Sequence, residues 1–453
     1  MKHEKFAYRS LEDVREKIKE LNVDIPISEN VDVLKDEVKI GSHTVPNRLA
    51  IQPMEGCDSM EDGTPDELTL RRFDRFARSG AGLIWSEAVA VVPEGRANPR
   101  QLMLTEKNLD EFKRMIDHTK EVSTKLFGFT PVIIMQETHS GRYSKPYGQA
   151  APMTAYHHPI LEKDRPLSDD VIVTDDYLKG LEESYAKSAV LAEKAGFDGV
   201  DIKACHRYLF SELLSAYERE GEYGGSFENR TRCLRNSIAA AKAAISDKMI
   251  ITSRMNIYDG YVYPYGFGVN KEDGLKPDMS EPIALAKRLY QESGVRLLDL
   301  TIGNPYNNPH VNRPYDMGAY EPLEHPFEGL ARMCHCIGEV KEQCRDMVVI
   351  SSANSYLRQF SVYMAAGMVE EKKADIIGYG RMAFAYPEFA KDIITTGELD
   401  PNKVCLSCSK CTQLMRAQSV AGCVIRDREV YMPIYKKNVL ENEEDIIHKV
   451  SNV

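Results

Sequence analysis

With 453 residues, 58 basic against 69 acidic side chains and a net charge of −11, the chain can form one large domain or two to three smaller ones. Its acidic balance argues against a nucleic-acid backbone or an anionic membrane as partner. No run approaches the length of a membrane span and residues 1–30 lack the apolar stretch of a signal peptide, so a cytoplasmic protein acting on small molecules is expected.

Residues 1–34 predict a helical extension, with an amphipathic helix over 11–21 and Ser10 and Asp13 spaced as a capping box. The next stretch, VKIGSHTVPNR, predicts a small hairpin. From there short apolar runs alternate with helix-period segments. Strands are expected near 49–53, 82–88, 131–136, 197–202, 248–254, 296–301, 347–351 and 374–379, with helices such as 176–195, closed by Gly196, and 228–246 between them. Eight such units over 35–400 predict an α/β fold, a TIM (β/α)8 barrel; a doubly wound sheet is the alternative with the same count.

In a barrel the chemistry belongs where strands end. The first strand ends in Pro53, Met54 and Glu55, the second in Ser86 and Glu87, and the third in Gln136 to Arg142. The fourth opens into Lys203, Cys205, His206 and Tyr208, polar groups that a buried strand end does not carry without a cleft to serve. Arg254 ends the fifth strand, Thr301, Gly303 and Asn304 the sixth, Ser352 and Asn354 the seventh, and Gly380 and Arg381 the eighth. An uncharged amide and an arginine at two different strand ends suit a ring needing a hydrogen bond and a countercharge. Gly380 and Arg381 suit a phosphate, through close backbone approach and a bidentate fork.

Ten cysteines in a chain of this kind are expected to be thiols or metal ligands rather than disulfides. Four lie just past the barrel, in the segment 401–453: Cys405, Cys408, Cys411 and Cys423. Their spacing alone leaves a structural zinc site and an iron–sulfur cluster equally open.

Taken together, Asn47-Arg48 with Pro53-Met54, the stretch from Gln136 to Arg142, Lys203-Ala-Cys-His206-Arg-Tyr208, EYGGSFENR and Gly380-Arg381 resemble the old yellow enzyme family. The likeness covers about residues 35 to 425 and is to the branch with 2,4-dienoyl-CoA reductase and the enoate reductases. The resemblance implies FMN at the barrel mouth, with Pro53, Met54 and Glu55 near the ring, Gln136 at its pyrimidine edge and Arg254 by N1 and O2. Ser352, Asn354, Gly380 and Arg381 would hold the phosphate. Lys203, standing where the family has a histidine, and His206 would bind the substrate oxygen, and Tyr208 would supply a proton. The plainer role for Lys203 is a salt bridge to Glu55 or Glu87.

The resemblance also implies a [4Fe-4S] cluster on the four cysteines. Relatives with that cluster continue into FAD- and NADPH-binding domains, and no G-x-G-x-x-G follows a strand here. The expected activity is therefore an ene-reductase receiving electrons from a separate flavoprotein or ferredoxin through the cluster, or from NADH or NADPH directly. An oxidative enzyme resembling trimethylamine dehydrogenase and an electron-transfer subunit with a structural metal site are the alternatives. Glu55 stands where relatives carry a redox-tuning residue, with Cys57 two positions on. His139, Arg142 and EYGGSFENR read as structural, and the tyrosine-rich loops 143–166 and 258–282 as substrate-facing; a homo-oligomer stays open. The helix near 386–396 reads as the short extra helix at a barrel's phosphate end.

Overall fold

Strands β3 (Leu49–Ile51), β4 (Leu83–Ala90), β5 (Val132–Thr138), β6 (Gly199–Ile202), β7 (Ile250–Asn256), β8 (Leu297–Thr301), β9 (Val348–Ser351) and β10 (Ile376–Tyr379) run parallel in the computed structural model, which describes residues 2–441. The last pairs with the first, Ile377, Gly378 and Tyr379 lying opposite Leu49, Ala50 and Ile51, so the sheet closes. Closure decides for the barrel, because a doubly wound sheet leaves two free edges. All eight strands lie where they are predicted, although β4 and β5 run on to Ala90 and Thr138.

Side chains alternate across a strand, so each run sends one set toward the helices and one into the barrel. Leu83, Val132, Ile250, Leu297, Ile350 and Ile376 make an apolar floor. It is sealed by the antiparallel hairpin of β1 (Val38–Ile40) and β2 (His43–Val45), whose Val38, Ile40 and Val45 join the same cluster. One step further along, the inward set turns polar on three strands, at Gln52, Asp201 and Asp299, all buried. Gly199 opens β6 because a Cβ there would meet the Ile250 carbonyl oxygen at 2.5 Å. The other set, including Ile51, Ile133, Val200 and Ile202, packs beneath the helices.

The N-terminal helix Leu11–Leu21 has the predicted capping box between Ser10 and Asp13. The helix read at 386–396 spans Phe389–Thr396 and sits elsewhere than expected. Its Lys391 N–H bonds the Ser79 carbonyl, just ahead of the turn that enters β4, and so it lies at the floor end. The short helix beside the strand-end cavity is instead Arg381–Ala385, which starts directly after Gly380. Beyond the barrel, the helices Lys410–Arg416 and Arg428–Tyr435 share a small core of Leu414, Val420, Val424, Tyr431 and Tyr435. The last part of the predicted 401–453 segment lies outside the described residues. No described helix is long and apolar enough to cross a membrane.

Candidate functional site

The strand-four end is held by main-chain pairing that outlasts the strand. Lys203 N–H donates to the Glu137 carbonyl at 3.1 Å, and Ala204 N–H to the Arg254 carbonyl at 2.9 Å. His206 and Arg207 then both adopt left-handed backbone, with φ of 65° and 59°. Such strain costs about 1–3 kcal/mol per residue and persists only where surrounding contacts impose it. Arg207 supplies them: fully buried, it bonds Asp259 Oδ2 at 3.0 Å and the Tyr156 hydroxyl at 2.8 Å. This turn delivers Lys203, His206 and Tyr208 to one cavity of about 280 Å³ at the barrel mouth, while Cys205 stays buried outside it.

Around that cavity stand Pro53, Met54, Glu55, Gln136, Arg254, Ser352, Gly380 and Arg381, drawn from five of the strand ends. Asn354 does not join them. Its amide donates to the Ser351 and Gly378 carbonyls, at 3.2 and 2.9 Å, tying β9 to β10, and Ala353 and Ser355 line the cavity instead. Glu87 also turns away: a register irregularity between Trp85 and Ala88 sends it to Arg72 and to the Gly56 N–H at 2.8 Å.

Beneath the cavity the polar layer is joined by hydrogen bonds and one ion pair. Arg254 Nε pairs with Asp299 Oδ2 at 3.0 Å, and Gln52 donates to Asp299 Oδ1 and Ser352 Oγ, both at 2.8 Å. Gln136 and Trp85 both donate to Asp201 Oδ2, at 2.7 and 2.8 Å. Burial pushes the Asp299 carboxyl up to about 7 and Asp201 up to about 6, opposed respectively by Arg254 and by the hydrogen bonds Asp201 accepts. Gln52 escaped the sequence reading, although its parity with the inward-facing Ala50 is the signal that would have found it.

Lys203 Nζ lies 4.0 Å over the Tyr208 ring and 3.9 Å from Glu55 Oε1. Burial pulls its pKa down, and burial with Arg254 and Lys203 nearby holds His206 well below the usual imidazole range. His206 is thus a neutral ring whose buried Nε2 has no hydrogen-bond partner among the described residues, which leaves it free, as an N–H donor, for a ligand oxygen. The Tyr208 hydroxyl donates to Glu55 at 3.3 Å and lies 2.7 Å from the hydroxyl of Tyr306. Burial, followed by Glu55, drives its pKa well up, so it keeps its proton.

Tyr306, from the loop after β8, which sequence reasoning missed, stacks with ring centroids 3.9 Å apart on Tyr143 of the expected loop 143–166, and both line the cavity. The tyrosines expected from loop 258–282 do not line the cavity. That loop is folded back by Asp259, which accepts from Arg207 and the Phe267 N–H, and Tyr261 bonds Asn304 at 3.1 Å. His139 and Arg142 are structural as expected: His139 is 2.9 Å from the Tyr177 hydroxyl, and Arg142 clamps Glu162 and Glu212.

The site fits FMN on its own features. Arg381 is buried, with no hydrogen-bond partner for Nη1 among the described residues, and Gly380 sits where a Cβ would crowd Met54 Sδ at 3.2 Å. Cys405, Cys408, Cys411 and Cys423 line a second, smaller cavity, and Arg381 borders both. Main-chain N–H groups of Ser407 and Arg426 point at the sulfurs of Cys405 and Cys423, at 3.4 and 3.3 Å. Arg381, Lys410 and Arg426 line this cavity and no carboxylate does. Among the described residues no three His, Cys, Asp or Glu side chains are placed to share one metal ion.

A family described as NADH:flavin oxidoreductase / NADH oxidase matches residues 36–272. The chain is 30% identical over 264 residues to an NADPH dehydrogenase of Bacillus licheniformis, spanning 57% of this chain and 70% of that protein. With an NADH oxidase of Thermoanaerobacter brockii it shares 26% over 386 residues, 83% of this chain but 52% of the other. Among solved structures, a 2-naphthoyl-CoA reductase in complex with 2-naphthoyl-CoA superposes with a TM-score of 0.70 at 20% identity, covering 88% of this chain and 57% of that one. An old yellow enzyme homologue from Zymomonas mobilis gives 0.59 at 20% identity, over 82% and 94%. At these identities the structural likeness speaks for the fold.

Proposed function

The chain belongs to the NADH:flavin oxidoreductase / NADH oxidase family, an FMN-dependent oxidoreductase family, and from that premise we propose that it is an ene-reductase. Its substrate is an alkene activated by a carbonyl or carboxylate: an enone, enoate or enoyl thioester. The observation that carries this reading is the convergence of Lys203, His206 and Tyr208 on the cavity that also holds Gln136, Arg254 and Arg381.

Gln136 and Arg254 would hold the ring of FMN, and Ser352, Gly380 and Arg381 its phosphate; the cofactor supplies hydride for the β-carbon of the alkene. Lys203 and the unpartnered Nε2 of His206 bind the substrate's oxygen and stabilise the negative charge that develops on it. Tyr208, kept protonated by burial, delivers its proton to the α-carbon. Tyr306, hydrogen-bonded to it at 2.7 Å and 40% exposed, returns a proton from solvent. The four cysteines would hold a [4Fe-4S] cluster, which supplies single electrons from a flavoprotein or ferredoxin. Support for this reading comes from the four cysteines lining one cavity, with main-chain N–H groups directed at the sulfurs of Cys405 and Cys423. NADH or NADPH is the alternative donor.

The oxidative, amine-directed alternative draws support from the stacked Tyr143 and Tyr306, which would suit a cation. The cavity's charge weighs against it, since Glu55 is its one carboxylate among several lysines and arginines. Anaerobic purification with iron, sulfide and flavin analysis, followed by mixing with NADH or NADPH and then an enone or enoate, tests the reading. Flavin bleached by a donor and reoxidised by the alkene is the expected result. A colourless, zinc-loaded protein, or turnover of amines alone, would refute it.

A further inference from the structure

Six cationic side chains line the large cavity: Lys145, Lys203, Arg254, Arg313, Arg381 and Arg416. Lys203 faces Glu55 and Arg254 is matched by Asp299. The other three arginines of the lining have no such partner among the described residues. Among the described residues none of Arg313, Arg381 and Arg416 makes an ion pair with a carboxylate. They come from three separate parts of the chain: the loop after β8, the end of β10, and the helix Lys410–Arg416.

They are neighbours all the same. Arg381 Nη2 donates to the carbonyl of Pro314, the residue after Arg313, at 3.3 Å. Arg313 Nη2 donates to Thr412 Oγ1 at 2.7 Å. Among the described residues, Nη1 of Arg381 and Nε of Arg313 are buried without a hydrogen-bond partner. Burial, then Arg381 and Arg416, press the Arg313 pKa down to about 10, as expected for a guanidinium crowded by like charges. Leaving three guanidinium groups together unneutralised is costly unless an anion of high charge joins them. Gly380, Ser352, Ala353 and Ser355 line the same cavity.

We propose that Arg313 and Arg416 join Arg381 in a three-arginine clamp on the phosphate dianion of FMN. This rests on the reading of the cavity as the FMN site. It makes the cysteine-bearing helix part of that site: Cys411 faces the small cavity, while Thr412 and Arg416 face the large one. The cysteine segment and the flavin phosphate are thereby coupled, with the Thr412 to Arg313 bond as the joint.

The test is titration of the flavin-stripped full chain with FMN and with riboflavin, which lacks the phosphate, in wild type, Arg313→Gln and Thr412→Val. Arg313→Gln is expected to weaken FMN by about 10- to 100-fold, the loss of a charge-assisted hydrogen bond, and to leave riboflavin within about threefold. Thr412→Val should move FMN in the same direction by less. Without flavin, Arg313→Gln should melt at the same temperature as wild type or higher, because it relieves repulsion. Equal loss of both flavins would make Arg313 structural and overturn the clamp. Unchanged FMN affinity in Arg313→Gln, with wild type still preferring FMN to riboflavin, would overturn the clamp while sparing the FMN reading. Wild type that binds neither flavin would refute that reading itself.

Discussion

Replacing Lys203 by methionine removes the ammonium while keeping most of the side-chain volume, in a position only 3% exposed. A unit charge about 4 Å from a developing enolate oxygen, at an effective dielectric of about 20, is worth about 4 kcal/mol. Loss of one oxyanion-stabilising donor costs about 2.7–4 kcal/mol, or about 10²–10³ in rate. The competing role is to balance Glu55, but the 3.9 Å separation is long for a buried pair, and Glu55 also accepts from Tyr208. Stopped-flow separates the two half-reactions: flavin reduction by the donor, and its reoxidation by an enone or enoate. Lys203→Met should slow reoxidation about 10²–10³-fold and leave flavin content and reduction by the donor within about threefold. A Lys203→Met/Glu55→Gln double variant distinguishes catalysis from charge balance. Reoxidation within about threefold of wild type, or restored by adding Glu55→Gln, would refute the catalytic role and leave Lys203 a partner of Glu55.

Tyr208→Phe should lower alkene reduction about 10²–10⁴-fold while hydride still enters the flavin, the range for a lost general acid; unchanged turnover in deuterated and ordinary water would refute it. Tyr306→Phe removes the 2.7 Å partner of Tyr208 and should lower turnover by about tenfold, with a larger solvent isotope effect; an unchanged isotope effect would reduce Tyr306 to a wall residue. Cys423→Ser should strip iron and sulfide from anaerobically purified protein, and retention of full iron content would remove Cys423 from the ligand set. Asp299, raised from its ordinary carboxyl range to about 7 by burial, binds its proton more tightly folded than unfolded. The stability it contributes is therefore complete below about pH 4 and lost as pH rises through about 7. In flavin-free protein, denaturant midpoints of wild type should fall relative to Asp299→Asn across that window, and a flat difference would count against a raised Asp299.

The barrel was legible because its signal is periodic. Eight apolar runs separated by helix-period segments appear in the chain without reference to one another, and β3 to β10 lie on them. The strand-end residues were legible for the same reason: a polar residue at the end of a buried run has one place to go. Gln52 shows how far that rule reaches, since two-residue parity with Ala50 places it inward beside Asp299. Asn354 and Glu87 show where it stops. Each sits at a predicted strand end, yet one is drawn into joining β9 to β10 and the other is turned aside by an irregularity in β4.

By itself the sequence determined the eight-unit alternation, the polar strand ends, the left-over cysteines and the absence of charge for a nucleic-acid partner. Tertiary structure alone decided that the sheet closes, that the loop after β8 supplies Tyr306 and Arg313, and that Thr412 and Arg416 of the cysteine-bearing helix face the same cavity as Arg381. The physical reason is range. Parity and periodicity act over a few residues and are written into each strand. Contacts between Arg313, Arg381 and Thr412 join positions far apart in the chain, and depend on how loops and a terminal helix pack over the closed barrel.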